Sequence, residues 1–508
     1  MQISIVWRAI FLLVLLGSGF APVAATVSVA GAVGDVSRYD LDVTFDPDSR
    51  SLAGSMSFKW VNATGQSQRA LYFRLYPNAD HYIDGQTDVS TVTVDGQPVA
   101  STLWPDATVL EVETNGAVAP GDDVAVALEF VTTIPTTSDA SFGILGGDPD
   151  TGWWLADWYP ILAGWEDGSG WYLEGATRFG DPTFAESAAY DLSFTAPDGY
   201  RVVGSGETTG TLVNASAETV TTGIATAPAR DVTLSLLPES DTAPLESMVR
   251  NIAGIAVRVT LPDGQSIPGL AEAILSIASD TLPPYETWLG QYPEGELDIV
   301  SVPLAGVSGV SWSGLVWLDI GPIVEDGELS VAEREHLRFV LTHELGHQWI
   351  AGVIGSNNND HGFMSEGLAN ILSVLAIREM SGVEEAERDL RERVAGGYRG
   401  MLEANDDGVA DAPITDDTDI AARFRLVYGK AALGFEAIRQ AIGDPAFFAG
   451  LTAYANDYRF AVSTPDDLRR AFEGAGGENL DTLWSFWFEE EATTTADVDA
   501  VLDGFAGS

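Results

Sequence analysis

The segment LTHELGHQWI (341–350) places His343 and His347 four residues apart in a chain with only 5 histidines among 508 residues. On a helix, positions i and i+4 lie one turn apart on one face, so both imidazoles can reach a single ion. His-Glu-x-x-His is a spacing that binds zinc. Glu344, next to the first histidine, would then stand beside the metal without ligating it, where a carboxylate can take a proton from water. Leu341, Leu345, Trp349 and Ile350 make much of this helix apolar. Burying three polar groups there without partners would cost several kcal/mol, and a metal satisfies two of them.

A catalytic zinc takes three protein ligands and keeps one position open. Glu366, with 18 residues between it and His347, supplies the third from the first turn of the next predicted helix, FMSEGLANILSVLA. His361, in the intervening loop GSNNNDHG, is the competing candidate. His336 lies two turns before His343, too far to share the ion, and reads as structural; His81, in the β-rich part, has no assigned role. Further on, LVYGKAALGFEAI (426–438) opens a helix with Tyr428 and Lys430. A tyrosine hydroxyl can donate to a tetrahedral oxyanion, and it can equally be a packed aromatic. Lys430 is one of the two lysines, with Lys59, and suggests a specific contact.

The elements that must position these groups fall in order along the chain. From 36 to 240, short alternating runs such as YDLDVTF, ALYFRLYP, DVAVALEFVTT and YDLSFTAP, separated by turn residues, predict an antiparallel β-sandwich. The tryptophan-dense stretch TGWWLADWYPILAGWEDGSGWYLEG reads as core at a domain interface. From 245 to 490 the pattern becomes mixed and then helical, with period-3.6 segments near 330–353, 364–381, 383–404, 427–442, 444–457 and 464–474. Ser330 with Glu333 fits a capping box, and Thr464-Pro465 fits a helix start. The acidic run NDDGVADAPITDDTD (405–419) reads as a solvated loop, with calcium as the alternative. Residues 491–508 read as a C-terminal tail. The expected class is therefore α+β and multidomain.

Composition narrows the function. Against 75 Asp and Glu stand 25 Lys and Arg, a formal net charge of −50. Such a field repels nucleic acid and anionic membranes. With 0 cysteines, disulfides, thiolate metal sites and cysteine nucleophiles are excluded. Arg8 followed by AIFLLVLLGSGFAPVAA predicts a signal peptide over 1–25, cleaved near Ala25, hence a secreted or extracytoplasmic protein without stable membrane insertion. An uncleaved anchor is the alternative.

His-Glu-x-x-His, 18 residues, Glu, then Tyr-x-Lys at a helix start resembles the M1 gluzincin aminopeptidases. The likeness extends over about 36–490, through DWYPILAGWEDGSGWYLEGATRFGDPTFAESAAYDLSFTAPDGYRVVGSG and TPDDLRRAFEGAGGENLDTLWSFWF. The resemblance implies an N-terminal β domain and a thermolysin-like catalytic domain, one zinc held by His343, His347 and Glu366, Glu344 as general base, and Tyr428 as stabiliser of the tetrahedral intermediate. There are two departures. The chain ends soon after SFWFEEEA, without the large C-terminal helical domain of many members. The family's Gly-x-Met-Glu strand, whose glutamate grips the substrate's α-amine, corresponds to SGVSWSGLVWLD (308–319), with Ser311 at the glutamate position. A neutral hydroxyl cannot replace a carboxylate's charge-assisted bond to an ammonium. Gly309, Ser311 and Lys430 are the expected substrate contacts. The resemblance implies a zinc metallopeptidase acting on peptides or proteins. A zinc hydrolase of a non-peptide substrate and a non-catalytic, zinc-stabilised binding module are the alternatives.

Overall fold

In the computed structural model, the described residues are 36–505 apart from 137–140, 181–182, 241–242, 263–264, 266, 325–328 and 416. The predicted signal segment lies outside them. Strand Ser37–Asp46 alternates buried and exposed side chains along its whole length, as a half-buried strand must. It pairs antiparallel with Ser51–Val61 and parallel with Ala188–Pro197, in register Tyr39 to Tyr190, inside an eight-stranded sheet. The parallel pair departs from the all-antiparallel expectation. Parallel neighbours need a long crossover, and here the chain builds one whole four-stranded sheet and two strands of another before it returns. Between the sheets lies an aromatic core of Tyr39, Phe58, Trp153, Trp158, Tyr159 and Tyr190. Tyr39 stacks on Tyr190 at 4.7 Å and its hydroxyl accepts the amide of Leu162 at 3.0 Å. The tryptophan-dense stretch thus serves as core, with Trp158 donating to the Val232 carbonyl at 2.9 Å.

A further, five-stranded sheet follows, ordered Glu246–Ile252, Ile255–Leu261, Glu296–Ser301, Leu315–Leu318, Gly309–Trp312. The edge strand Gly309–Trp312 pairs only with Leu315–Leu318. The helices α1 (Leu270–Leu289) and α2 (Val331–His347) pack against this sheet, and the single turn α3 (Asn358–His361) leads into α4 (Phe363–Ser381), which packs on α2. Both predicted caps are present, Ser330 with Glu333 on α2 and Thr464 with Asp467 on Pro465–Gly476. α2 stops at His347 rather than near 353, because the chain folds back at once. The Gly352 amide bonds to His347 O at 3.0 Å, and Ala351 takes a left-handed φ of 84°. Residues 491–508 are more than a tail, since Thr495–Phe505 forms a helix that buries Val498, Val501, Leu502 and Phe505 in the helical core. No described helix is long and apolar enough to cross a membrane.

One buried arginine joins the β-rich part to the turn after α2. Arg230 donates to the carbonyls of Ala185 at 3.0 Å, Gly352 at 3.2 Å, Val353 at 3.3 Å and Ala461 at 2.7 Å. Its guanidinium lies so close to Gly355 that a Cβ there would sit 2.3 Å from Cζ. Burial lowers Arg230 to about 10 despite Glu186 nearby, and removing it would strand carbonyls and a buried carboxyl. Arg230→Met is expected to lose about 3–5 kcal/mol of stability, measured as a drop in urea midpoint; an unchanged midpoint would show the clamp to be inert.

Candidate metal centre and substrate cleft

α2 buries Leu337, Leu341 and Leu345 among the other helices. His343 and His347 leave the helix one turn apart, with ring centroids 4.6 Å apart and planes near perpendicular. α4 carries Glu366 in its first turn, where the helix dipole favours a carboxylate. The three ligand atoms converge. Nε2 of His343 and Nε2 of His347 are 3.0 Å apart, and each lies 3.3 Å from Glu366 Oε2. Bonds of about 2.0–2.1 Å to a tetrahedral zinc separate ligand atoms by about 3.3 Å, so the triangle fits that ion. Two details of the residues themselves agree. Glu366 Oε2 is buried without a well-formed hydrogen bond. His347 Nδ1 lies 3.1 Å from the Ile350 carbonyl, which leaves the Nε2 lone pair directed at the site. Among the described residues, no other group of three His, Cys, Asp or Glu side chains has this geometry. Burial would push Glu366 up, but His347 and His343 more than reverse it and hold it well below the usual carboxylate range.

Glu344 sits beside the triangle and is not part of it. Its carboxylate Oε2 lies 3.0 Å from Ser311 Oγ, and its own carbonyl lies 2.7 Å from the same hydroxyl. A side chain at Gly309 would meet Glu344, since a Cβ there falls 2.6 Å from Cγ. Gly309 and Ser311 therefore make a cradle for Glu344 on the edge strand. Burial raises the Glu344 carboxyl, and His343 and His347 draw it back. Tyr428 comes from the far wall on a wide, π-type turn over Arg425–Lys430. Its ring stacks on Phe424 at 5.0 Å and lies 5.8 Å from the His343 ring. Asn370 of α4 holds the Tyr428 carbonyl at 2.9 Å. Burial and then Glu366 keep the phenol well above its usual range, so it stays a donor.

Other expected residues go elsewhere. Lys430 does not reach the cleft. Its ammonium is fully buried, donating to Gly408 O at 2.6 Å and Glu490 O at 2.7 Å and pairing with Asp407 at 3.1 Å. It anchors the acidic loop, so its place among the substrate contacts is corrected. His361 pairs with Asp411 at 2.6 Å and stays out of the ligand triangle. His336 is 2.9 Å from Arg393, and His81 packs on Tyr82 at 4.5 Å. Asp407 and Asp411 are thus engaged by Lys430 and His361 rather than grouped around a cation. A cleft of about 310 Å³ opens onto the triangle, lined among others by Phe142, Val310, Ile420 and Val427. Arg178 and Arg423 also line it. Sequence reasoning missed both, and no local pattern marks them.

Glu366→Gln is expected to weaken zinc at least about tenfold, the scale of perturbing a ligand shell, in a chelator competition. His361→Ala should leave zinc affinity unchanged. The opposite ranking would move the third ligand to His361.

Residues 275–487 match the family described as "Peptidase family M1 domain". Over 247 residues the chain is 24% identical to Aminopeptidase M1 of Arabidopsis thaliana, covering 47% of this chain and 27% of that protein. It is 23% identical over 239 residues to Probable aminopeptidase 1 of Saccharolobus solfataricus, covering 46% and 29%. The matches thus span under a third of those relatives' length. A solved M1 zinc metallopeptidase from Deinococcus radiodurans shares the fold, with a TM-score of 0.64 at 18% identity over 90% of this chain and 94% of that one. Residues 275–487 thus match the peptidase family M1 domain, and an N-terminal β-sheet region precedes them.

Proposed function

We propose that this chain is a zinc-dependent metallopeptidase whose site is built from His343, His347 and Glu366 as ligands, Glu344 as general base and Tyr428 as oxyanion donor. The observation that carries the reading is the ligand triangle with Glu344 beside it. Zinc bound there supplies Lewis acidity toward the scissile carbonyl and the attacking water. Glu344, held by Ser311, accepts the water's proton and can pass it to the leaving amine. Tyr428 presents a neutral hydroxyl to the charge developing on the carbonyl oxygen. The edge strand Gly309–Trp312 can align an extended peptide by strand addition. A purely structural zinc would need neither Glu344 nor Tyr428.

The cleft favours a weak grip on a free N-terminus. We read Ser311 as standing where the family places its amine-binding glutamate, and its hydroxyl is engaged by Glu344. Among the described residues, the only carboxylates lining the cleft are Glu344 and Glu366. Residues 1–25 support an extracytoplasmic location, which the N-terminal sequence of the mature protein would check. We also place the division between the β and catalytic domains at 240–245.

Glu344→Gln should keep zinc and fold while losing about 10²–10⁴-fold in rate, and Tyr428→Phe about 10²–10³-fold in kcat. Mass-spectrometric mapping of cleavage in a mixed peptide library reads both. Near-parent turnover in either variant would reassign the role. Ser311→Ala removes a donor to Glu344 and should lower kcat about tenfold or more with zinc content unchanged. A change confined to KM would instead mark Ser311 as a substrate contact.

A further inference from the structure

The chain's cations are mostly matched to carboxylates. Arg439 pairs with Glu436 in full burial, Arg338 with Asp389, Arg258 with Asp298, Lys430 with Asp407. The two arginines of the cleft differ. Arg423 stands on the short helix Ile420–Phe424, five residues before Tyr428. Among the described residues its hydrogen bonds go to main-chain carbonyls, those of Ala412 and Asn358, and no carboxylate lies within ion-pair distance. Burial acts on it most, followed by Tyr428, Glu366, Asp411 and Asp360, none of them in an ion pair with it, and Asp411 is engaged by His361. Its guanidinium lies against Gly362, the residue before α4, where a Cβ would sit 2.9 Å from Nη2. Two carbonyls orient the group, and a guanidinium has five N–H donors in a fixed fork. Donors thus remain for a ligand in the cleft that Arg423 lines. Arg178 lines the same cleft from the β-rich part and is exposed at its rim, over the Phe179 ring at 5.7 Å.

We propose that Arg423, with Arg178 at the rim, is the anion-recognition element of this cleft, and that the preferred substrates are peptides carrying a carboxylate close to the scissile bond. The carboxylate is either an Asp or Glu side chain or a free C-terminus. The inference rests on the peptidase reading and gives that site its substrate class. It runs against the long-range field, since a net charge of −50 repels acidic peptides. Paired locally with a carboxylate, the arginine fork forms charge-assisted bonds that do not depend on that field. High salt screens the repulsion more than the close contact.

The test uses the zinc-loaded full chain carrying Glu344→Gln and four versions of one peptide, with a C-terminal acid or amide and an internal Glu or Gln. Affinities are measured calorimetrically at high salt, where the global repulsion is screened. A version with one well-placed carboxylate is expected to bind about 10–100-fold tighter than the neutral version. The arm that shows the preference identifies the source, side chain or C-terminus. Arg423→Gln should remove most of it, and Arg178→Gln part of it. Because Arg423 also ties down carbonyls, Arg178→Glu on the exposed rim is the second variant; it should weaken the acidic versions more than the neutral one. Equal affinity for all four versions, a preference for the neutral one, no saturable binding, or a preference that survives all these substitutions would overturn the proposal. The peptidase reading fails separately, if the parent chain with zinc cleaves none of the four although the acidic ones bind. If it cleaves all four at equal rates and they bind alike, recognition falls and the peptidase reading stands.

Discussion

The geometry of the site depends on one packing contact, that between α2 and α4. It sets two imidazoles from one helix and a carboxylate from the other within 3.0–3.3 Å of one another. Three ligand atoms at that separation are costly to bury without a cation between them. The surroundings keep the arrangement in place. A capping box fixes where α2 begins. The turn beyond His347 is held from the β-rich part by Arg230. The edge strand closes on Glu344 from the open side, with Gly309 giving room and Ser311 giving a donor. Helix, turn and strand each restrain one part of the same small volume.

Charge follows a related logic. A chain with three acidic residues for each basic one must place its cations with care. Arg439, fully buried, pairs with Glu436 on its own helix and with Asp444 at the start of the next. Lys430 connects the loop at 407–408 to Glu490 near the end of the helical part. Against that background the cleft has two guanidinium groups and, besides Glu344 and Glu366, no described carboxylate on its wall. This is the reverse of what a pocket for an ammonium group requires.

Much of the site was legible because it is local. His343, Glu344 and His347 share one helix, and helical spacing alone places them. Glu366 follows from the need for a third ligand on the next helix. Other features were hidden because they depend on distant segments meeting. Ser311 touches Glu344 across 33 residues of chain. Lys430 is expected at the substrate because the chain keeps only two lysines, yet the wide turn at Arg425–Lys430 sends its side chain and that of Tyr428 to different places. Arg178 and Arg423 meet at one cleft from distant parts of the chain. In the sheets, alternation gave the strands but not the parallel partner of Ser37–Asp46, because alternation carries no direction. The last helix, Thr495–Phe505, does carry an apolar pattern at Val498, Val501, Leu502 and Phe505; its short length disguised it as tail.

The central claim is that a single zinc at His343, His347 and Glu366 enables this chain to hydrolyse peptides. The direct measurement is zinc content and peptide cleavage followed on one sample through titration with a chelator and back-titration with zinc. The account predicts that cleavage falls in proportion to bound zinc, one ion per chain, and returns with one equivalent. Cleavage that persists after the metal is stripped, or that needs a second equivalent to return, would contradict it.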